Sequence, residues 1–439
     1  MPEVRPFRAL RYESEIIGDL AAVVSPPYDV ISPTEAAVLL ARHPKNVVRL
    51  DLPVGEQGDG PDDRYRRAAR TFAAWRSDGT FHKDPRPSLY VYEQAYRLPG
   101  STIERVQRGF FGRLRLEPFG PGSGVLPHEQ TMSASREDRY KLLRATGVNT
   151  SPVVGLYSDP AGQAARILDE VARTTPIADV SDVDGVRHRM WALPAEGSGA
   201  GQVASLISAA GAGPITIADG HHRYETALRY RDERRMSRSC EEDPAFDYIL
   251  ALFLDAASPL TVLPTHRVVG GLGDDGVGAL RRGLADLFDE DPVEGPSSLL
   301  AAFGAAQPAR GGHGRIGLWT RAGAAILTAR RAAFEPLLPA SGEALRQLDV
   351  SLLQVALERL VGIDQAALTA GRVTYTKSAD EAIGWVNVGT DGADVAFLLE
   401  PTPVASIVEV AREGDLMPPK STYFYPKPLT GLVLNPHEW

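Results

Sequence analysis

The chain has 439 residues, of which 43% are hydrophobic and 23% are charged, the composition of an ordinary globular protein long enough for two or three domains. Its net charge of -9 argues against duplex DNA as a partner, because DNA-binding proteins normally present a basic face. The single cysteine excludes an internal disulfide and a zinc site built from several cysteines. Neither a secretion signal nor an apolar run of about 20 residues is found. We therefore expect a cytoplasmic protein without nucleic-acid or membrane partners.

The periodicity of apolar residues predicts a mixed α/β fold, in which helices flank a central mixed sheet. Ser32, Pro33 and Glu35 have the pattern of a helix start with a capping box. Helices are predicted, in chain order, at 32–42, 64–76, 135–145, 163–174, 200–210 and 224–231, and strands at 46–52, 88–96, 105–116, 153–157, 186–194, 214–218, 248–255 and 261–269. We expect the central sheet to come from the strands near 88–116, 153–157 and 214–255.

Composition also suggests how the chain is divided. Residues 1–269 are expected to form the main α/β domain, and residues 270–341, rich in Ala, Gly and Pro, a smaller peripheral lobe. Residues 342–439 are expected to return to the main domain, because their polar side chains would otherwise have nothing to act on.

The segment from Pro214 to Arg231 holds the densest group of reactive side chains. An apolar run that ends at Ala218 reads as a strand, and a helical pattern begins at Tyr224. Between them lie Asp219, Gly220, His221, His222 and Arg223. The first N–H groups of a helix are unpaired and favour negative charge, and a glycine lets a ligand approach the backbone. This turn is therefore predicted to bind phosphate.

Common catalytic signatures are missing from the sequence. It contains no G-x-x-x-x-G-K-[ST] loop, no H-E-x-x-H motif and no G-x-S-x-G elbow. These absences exclude the most frequent ATPase, metalloprotease and esterase classes. What remains is a set of proline-flanked polar loops, which are suited to holding side chains in place.

Four of these loops accompany the turn at 219–223. They contain Tyr28 and Asp29; His128 and Glu129; Thr265, His266 and Arg267; and Lys420, Ser421 and Lys427. Carboxylates can accept a proton from a reacting hydroxyl, and lysines can neutralise phosphate.

The chain resembles the DUF1015 family, a domain of unknown function. The matching motifs are PPYDVIS at 26–32, LPHEQT at 126–131, IADGHHRYETAL at 217–228, LPTHRVV at 263–269 and PPKSTYFYPKPLTGLV at 418–433. They span nearly the whole chain, but this resemblance implies little about function.

A local resemblance is more informative. Asp-Gly-His-His-Arg at 219–223 is similar to the nucleotide-binding turn of the ParB/sulfiredoxin-like fold, whose members include CTP-binding partition proteins, sulfiredoxin and kinases of free serine. The similarity to the serine kinases implies that Asp219, His221, His222 and Arg223 help to bind phosphate and metal. It does not identify the general base.

From these observations we expect a phosphotransferase that uses ATP or ADP, with Mg²⁺, to phosphorylate a small hydroxylated metabolite such as L-serine. Gly220, His221, His222, Arg223, Lys420, Ser421 and Lys427 are assigned to phosphate or nucleotide binding, and Tyr28, His128, Thr265, His266 and Arg267 to the substrate. Asp219 is the expected Mg²⁺ ligand. Glu129 is the first candidate for the base and Asp29 the second, while Asp219, His221 and His222 complete the catalytic set.

Two alternatives remain open from the sequence. The same pocket could act as a phosphatase on a phosphomonoester such as phosphoserine, or the chain could bind a nucleotide as a regulator without turnover. Homo-oligomerisation also remains open.

Overall fold

The computed structural model describes residues 1–131, 133–237, 243–303 and 314–437. Its strands are β1 (Val4–Arg5), β2 (Leu10–Tyr12), β3 (Phe81–Lys83), β4 (Ser88–Arg97), β5 (Glu104–Arg115), β6 (Val125–Leu126), β7 (Val148–Asn149), β8 (Val153–Tyr157), β9 (Ala178–Ser181), β10 (Arg187–Pro194), β11 (Ile215–Asp219), β12 (Tyr248–Asp255), β13 (Thr261–Leu263), β14 (His266–Gly270), β15 (Phe288–Val293), β16 (Arg315–Thr320), β17 (Gly323–Ala329), β18 (Val373–Thr376), β19 (Ala393–Leu398), β20 (Tyr423–Tyr425) and β21 (Asn435–Pro436).

The helices are α1 (Ser14–Ile17), α2 (Leu20–Val23), α3 (Pro33–Arg42), α4 (Val48–Asp51), α5 (Asp63–Ser77), α6 (Ser133–Thr146), α7 (Gln163–Val171), α8 (Ala200–Gly211), α9 (His221–Ser237), α10 (Gly273–Leu287), α11 (Gly295–Phe303), α12 (Arg331–Phe334), α13 (Glu343–Arg346), α14 (Asp349–Val361), α15 (Gln365–Thr369), α16 (Ala379–Val388) and α17 (Val404–Glu413). Short 3₁₀ turns lie at Tyr28–Val30, Gly197–Gly199, Ala245–Asp247 and Thr390–Gly392.

A mixed sheet of nine strands forms the centre of the fold. Its order is β6-β11-β8-β12-β5-β4-β10-β9, with β1 paired to β5. The pairs β11–β6 and β12–β8 are parallel and the others antiparallel. The predicted mixed α/β fold with a central mixed sheet is confirmed, and so is the pair of strands near 88–116.

A second sheet has six strands in the order β15-β17-β16-β19-β14-β18, and all of its pairs are antiparallel. It takes strands from 266–270, 288–329, 373–376 and 393–398, which lie on both sides of the boundaries expected at 269 and 341. Buried residues of both sheets, such as Leu252 on β12 and Leu318 on β16, belong to one hydrophobic core.

The C-terminal segment pairs with early parts of the chain. Strand β20 pairs with β13, β21 pairs with β7, and Met417 forms a bridge with Glu129. These pairings place the polar residues of 417–427 beside the central sheet. The domain boundaries themselves stay a prediction.

Two predicted strands differ in the structure. Residues 46–52 contain helix α4, because the buried Asn46 side chain accepts a hydrogen bond from the Val48 N–H and donates to the carbonyls of Ala22 and Val24, which turns the chain just before the helix. The strand predicted at 261–269 is divided at Pro264, so that β13 and β14 join different sheets.

The helix that starts after Ser32 has the predicted capping box, in which Ser32 and Glu35 each bond the other's backbone N–H. Within the described part of the chain, no helix has both the length and the apolar composition needed to cross a membrane.

Candidate functional site

The turn between β11 and α9 has the predicted geometry. Strand β11 ends at Asp219 and α9 begins at His221, with Gly220 between them at a φ of 90°. The first intrahelical bond runs from the Tyr224 N–H to the Gly220 carbonyl, at 2.9 Å. The amides of residues 221–223 therefore precede the helical hydrogen-bond ladder and can bind an anion.

Asp219 is the centre of a buried ion-pair network. One of its carboxylate oxygens lies 2.6 Å from Lys427 Nζ, and the other lies 2.6 Å from an Arg223 guanidinium nitrogen. Burial alone would raise the pKa of Asp219, but the charges of Lys427 and Arg223 outweigh it and hold that pKa far below the usual range. Asp219 is therefore ionised and paired with two cations.

The two histidines that follow are neutral near pH 7. Burial, assisted by the neighbouring His128, holds the pKa of His221 well below its ordinary value. Burial and the charge of Lys420 lower the pKa of His222. Neutral imidazoles avoid the conflict between a cation and the positive end of the helix dipole. The histidines therefore offer hydrogen bonds to an anion, and little positive charge.

A cavity of about 240 Å³ opens in front of this turn. All five polar loops predicted from the sequence contribute to its wall. The predicted site residues that line it are Tyr28, Asp29, Glu129, Asp219, Gly220, His221, His222, Thr265, Lys420 and Lys427. The C-terminal segment thus supplies one side of a cavity that is also lined by residues from the first 265 positions of the chain.

The two candidate bases differ in their surroundings. Both carboxylate oxygens of Glu129 accept backbone hydrogen bonds, from the N–H of Lys420 at 3.0 Å and the N–H of Ser421 at 3.1 Å. Glu129 therefore holds the turn in which Lys420 has a φ of 59°. Asp29 is exposed on the 3₁₀ turn and has no hydrogen bond or ion pair with the described residues, which leaves its oxygens open to a ligand.

Three lysines surround the cavity. Lys427 Nζ lies 4.5 Å and Lys377 Nζ 4.2 Å from the centre of the Tyr423 ring, so this ring holds two ammonium groups close together. Loss of solvent and the charge of Lys427 lower the pKa of Lys377. Lys420 is exposed and has no ion pair with the described residues. Like charges held this close favour the binding of an anion between them.

Five predicted site residues do not line the cavity: His128, Arg223, His266, Arg267 and Ser421. The buried His128 links β11 to the C-terminal loop, because its Nδ1 lies 2.6 Å from the Ile217 carbonyl and its Nε2 3.0 Å from the Thr422 hydroxyl. The Arg223 guanidinium donates to the Pro152 carbonyl as well as to Asp219.

The remaining three predicted residues, His266, Arg267 and Ser421, are buried and do not line the cavity. His266 Nδ1 accepts the N–H of Leu399 at 3.1 Å, and the buried Arg267 packs against the Tyr375 ring. Ser421 donates its hydroxyl to the Pro418 carbonyl at 2.6 Å. These contacts hold the loops that carry the lining residues.

Tyr375, Thr376 and Lys377 also line the cavity, and the sequence analysis did not include them. They lie at the end of β18, immediately before Ser378, whose side chain caps helix α16. A strand that ends in polar residues before a helix cap is the same signal that identified 219–223, and could have identified this segment.

The donor set does not fit a metal centre built by the protein alone. Both oxygens of Asp219 face cations, and no group of three or more metal-ligating His, Cys, Asp or Glu side chains occurs in the ranges that the structure describes. The role of Asp219 as a magnesium ligand stays a prediction.

Comparison with known proteins identifies a family and distant structural neighbours. The family model described as a protein of unknown function (DUF1015) matches residues 4–351. No curated protein matches the chain significantly. Among solved structures, a conserved hypothetical protein from Pyrococcus furiosus is similar at 13% identity, covering 69% of this chain and 87% of its own, with a TM-score of 0.34.

Two further structures are similar at the same level. A free serine kinase in complex with AMP is 12% identical, with coverage of 69% of this chain and 83% of its own and a TM-score of 0.36. SbnI with a C-terminal truncation, from Staphylococcus aureus, is 10% identical, with coverage of 71% and 83% and a TM-score of 0.31. Overlaps this weak carry no conclusion about function.

Proposed function

We propose that this chain, which belongs to the DUF1015 family, is a phosphotransferase that uses a nucleotide to phosphorylate the hydroxyl of a small metabolite, with L-serine as one candidate acceptor. One observation carries the proposal: the free N-terminus of α9, three lysines and the open carboxylate of Asp29 line a single cavity. Phosphoryl transfer needs positioning and charge stabilisation more than covalent chemistry, and this arrangement supplies both.

The transferring phosphate is expected at the start of α9. The amides after Gly220 would donate to its oxygens, and His222 would add a hydrogen bond. Lys420 and Lys377 would neutralise charge that grows on the group during transfer. Arg223 is less suited to this role than the sequence suggested, because it already holds Asp219.

Asp29 is the better candidate for the base. The acceptor hydroxyl would give its proton to Asp29 as its oxygen forms a bond to the phosphorus. The bond between that phosphorus and the bridging oxygen of the nucleotide breaks, and the shortened nucleotide leaves with the electron pair. Glu129 is already bound by two amides, so we assign it to holding the loop of Lys420.

The direct test is ³¹P NMR of the purified protein with ATP or ADP as the magnesium complex and a pool of hydroxylated metabolites that includes L-serine. Nucleotide phosphates bring most of the ligands that Mg²⁺ needs. We expect a new phosphomonoester signal matched by loss of nucleotide. Omission of single pool members then identifies the acceptor.

Single-residue variants test whether the phosphomonoester signal depends on the cavity. Asp29→Asn should abolish it, whereas Asp286→Asn, which changes an exposed carboxylate on α10, should not. A parallel tube contains phosphoserine without nucleotide. Release of phosphate in that tube alone would favour the phosphatase, and nucleotide binding without turnover in either tube would favour a regulatory protein.

A further inference from the structure

The proposed base, Asp29, lies on a turn with few bonds of its own. This 3₁₀ turn, Tyr28–Val30, is closed by a 3.2 Å bond from the Val30 N–H to the Pro27 carbonyl and by a 3.4 Å bond that the Ile31 N–H donates. Both bonds are long, and 3₁₀ turns have poorer hydrogen-bond geometry than α-helices. Because the Asp29 side chain has no hydrogen bond or ion pair with the described residues, other parts of the chain must hold the turn in place.

The ring of Tyr28 packs against a buried cation. The Arg139 guanidinium carbon lies 3.9 Å from the ring centre, and the Arg139 side chain is only 6% exposed. An aromatic ring attracts a cation that lies over its face, and does so more strongly where water is excluded. The guanidinium of Arg223, which holds Asp219, lies 6.0 Å from the same ring centre. The Tyr28 ring therefore connects the turn that carries Asp29 to two buried arginines.

The Arg139 guanidinium is held in one orientation by acceptors around its edge. Its Nε and one terminal nitrogen donate to the same carboxylate oxygen of Asp138, at 2.8 and 2.5 Å, and the other terminal nitrogen donates to the Asp51 carbonyl. The Asp51 carboxylate in turn accepts the Thr150 hydroxyl at 2.6 Å. A guanidinium is planar, so its edge can donate hydrogen bonds while its face contacts a ring. These bonds therefore fix the surface against which the Tyr28 ring packs.

Arg139 itself does not belong to the candidate cavity. Tyr28 and Asp29 line that cavity, whereas Arg139 lines a separate small space of about 40 Å³ together with Asp51 and Arg223. An effect of Arg139 on a reaction in the candidate cavity must therefore act through Tyr28 and the turn.

We propose that Arg139 is a positioning residue, which holds the Tyr28 ring and thereby keeps the Asp29 carboxylate in place for the acceptor hydroxyl. This inference rests on the proposed function, in which Asp29 takes the proton of that hydroxyl. The carboxylate must come within about 2.6–3.2 Å of the hydroxyl oxygen, so a small shift of the turn is enough to slow the transfer. A lysine at position 139 would keep the positive charge but lose the flat face and the donors around its edge.

Amide hydrogen exchange, followed by NMR, tests the hold on the turn without any turnover. Arg139→Lys should exchange the Val30 and Ile31 amides about tenfold faster than the wild type, because their hydrogen bonds break when the turn moves. Tyr28→Leu removes the ring, leaves the hydrogen bonds of Arg139 in place and should accelerate the same amides. The double variant should be no faster than Tyr28→Leu alone. Unchanged exchange in either single variant would overturn the proposal, so Tyr28→Leu decides even if Arg139→Lys does not fold.

Arg229→Lys is the matched control. The Arg229 guanidinium carbon lies 3.5 Å from the centre of the Tyr140 ring, and Arg229 pairs with Glu137 at 2.6 Å. Neither Arg229 nor Tyr140 lines the candidate cavity. This variant should keep the exchange rates of the turn and the kcat of the wild type, and urea denaturation checks that all variants fold. If Arg229→Lys accelerates the same two amides equally, loss of a cation at any tyrosine ring loosens the turn and the proposal is wrong.

Steady-state kinetics tests whether the hold matters for phosphoryl transfer. Arg139→Lys should lower kcat about tenfold and leave the KM for nucleotide unchanged, because a displaced base slows the chemical step and not the binding of phosphate. Asp29→Asn should then cost less in the Arg139→Lys background than in the wild type, since a displaced base has less activity to lose. Losses that simply multiply would mean that Arg139 acts independently of Asp29, and would overturn the proposal.

The two measurements separate this inference from the proposed function. If the wild type phosphorylates an acceptor and Arg139→Lys changes neither amide exchange nor kcat, the inference is overturned and the phosphotransferase stands. If Arg139→Lys and Tyr28→Leu both accelerate exchange while the wild type phosphorylates no acceptor, the hold of Arg139 on the turn is supported and the phosphotransferase is contradicted.

Discussion

At the scale of single residues, Asp219 has the most demanding environment in the site. Its carboxylate lies between Lys427 and Arg223, and the side chains of all three are at least 87% buried. Removing one partner of a buried pair leaves a charge without compensation, which costs about 3–5 kcal/mol. We expect Asp219→Asn to lower the free energy of unfolding by about 3 kcal/mol, measured by urea denaturation at pH 7.

A double-mutant cycle isolates this pair. Once the carboxylate is neutral, Lys427→Met removes a cation that has lost its partner. The double variant should therefore be more stable than the sum of the two single changes predicts. Additive losses would mean that the two side chains do not interact in solution.

The two candidate bases, Asp29 with its open carboxylate and Glu129 with its carboxylate bound by amides, should respond differently to loss of charge. Asp29→Asn removes the proposed base and should lower kcat about 100-fold or more with little change in nucleotide affinity. Glu129→Gln replaces one acceptor oxygen by a donor that faces a backbone N–H, so it should loosen the turn at Lys420 and raise the KM for nucleotide. Steady-state kinetics separates the two effects. The opposite pattern would restore Glu129 as the base.

At the scale of elements, the turn into α9 depends on a glycine. A Cβ on Gly220 would lie 3.1 Å from both the Arg223 Nε and a methyl carbon of Val153, at a φ of 90°. Left-handed backbone costs a residue with a side chain about 1–2 kcal/mol. We expect Gly220→Ala to lose about 2 kcal/mol of stability and at least tenfold in nucleotide affinity, measured by denaturation and calorimetry.

Gly162 provides the matched control. It also precedes a helix, α7, at a φ of 63°, but no atom lies within 4 Å of the added Cβ. Gly162→Ala should lose about 1 kcal/mol and leave nucleotide binding unchanged. If Gly220→Ala and Gly162→Ala lose the same stability and affect nucleotide binding equally, the short contacts of a Cβ at position 220 have no role.

At the scale of the whole molecule, buried histidines make stability depend on pH. Burial lowers the pKa of His266 to about 4 and that of His437 to about 3. The unfolded chain, in which histidine has a pKa of about 6.5, therefore takes up protons that the folded chain does not. Stability from these residues is present at pH 7 and is lost as the pH falls below about 6.5 toward the folded pKa.

From pH 7 to pH 5 we expect each of these two histidines to cost about 2 kcal/mol. His266→Gln should reduce the total loss by about that amount, because an amide does not titrate and its oxygen can still accept the Leu399 N–H. Urea denaturation at a series of pH values measures the slope. An unchanged slope in the variant would contradict the assignment.

Much of the local structure follows from the sequence. The strand, glycine and helix at 215–237 and the strands β4 and β5 occur where the sequence pattern predicts them, because such patterns act over a few residues. The prediction of a strand at 46–52 is wrong because of a tertiary contact. The Asn46 side chain is held by the carbonyls of Ala22 and Val24.

The residues of the candidate cavity were largely predicted, but their roles were not. Asp29, Glu129, His222 and Lys420 could be selected by residue type and by position in proline-flanked loops. Nothing local in the sequence shows that backbone amides of the C-terminal segment bind Glu129 or that Lys427 pairs with Asp219. Each of these depends on contacts between distant segments.

The sequence by itself therefore determined the class of fold, the turn at 219–223 and the chemical types available for a site, because propensity, capping and composition are properties of short segments. Tertiary structure decided which charges are paired, which carboxylate stays open and which loops line one cavity. Burial and charge pairing depend on the side chains that surround a group. Here the surrounding side chains come from distant parts of the chain. Asp29 and Lys427, for example, are about 400 positions apart and line the same cavity.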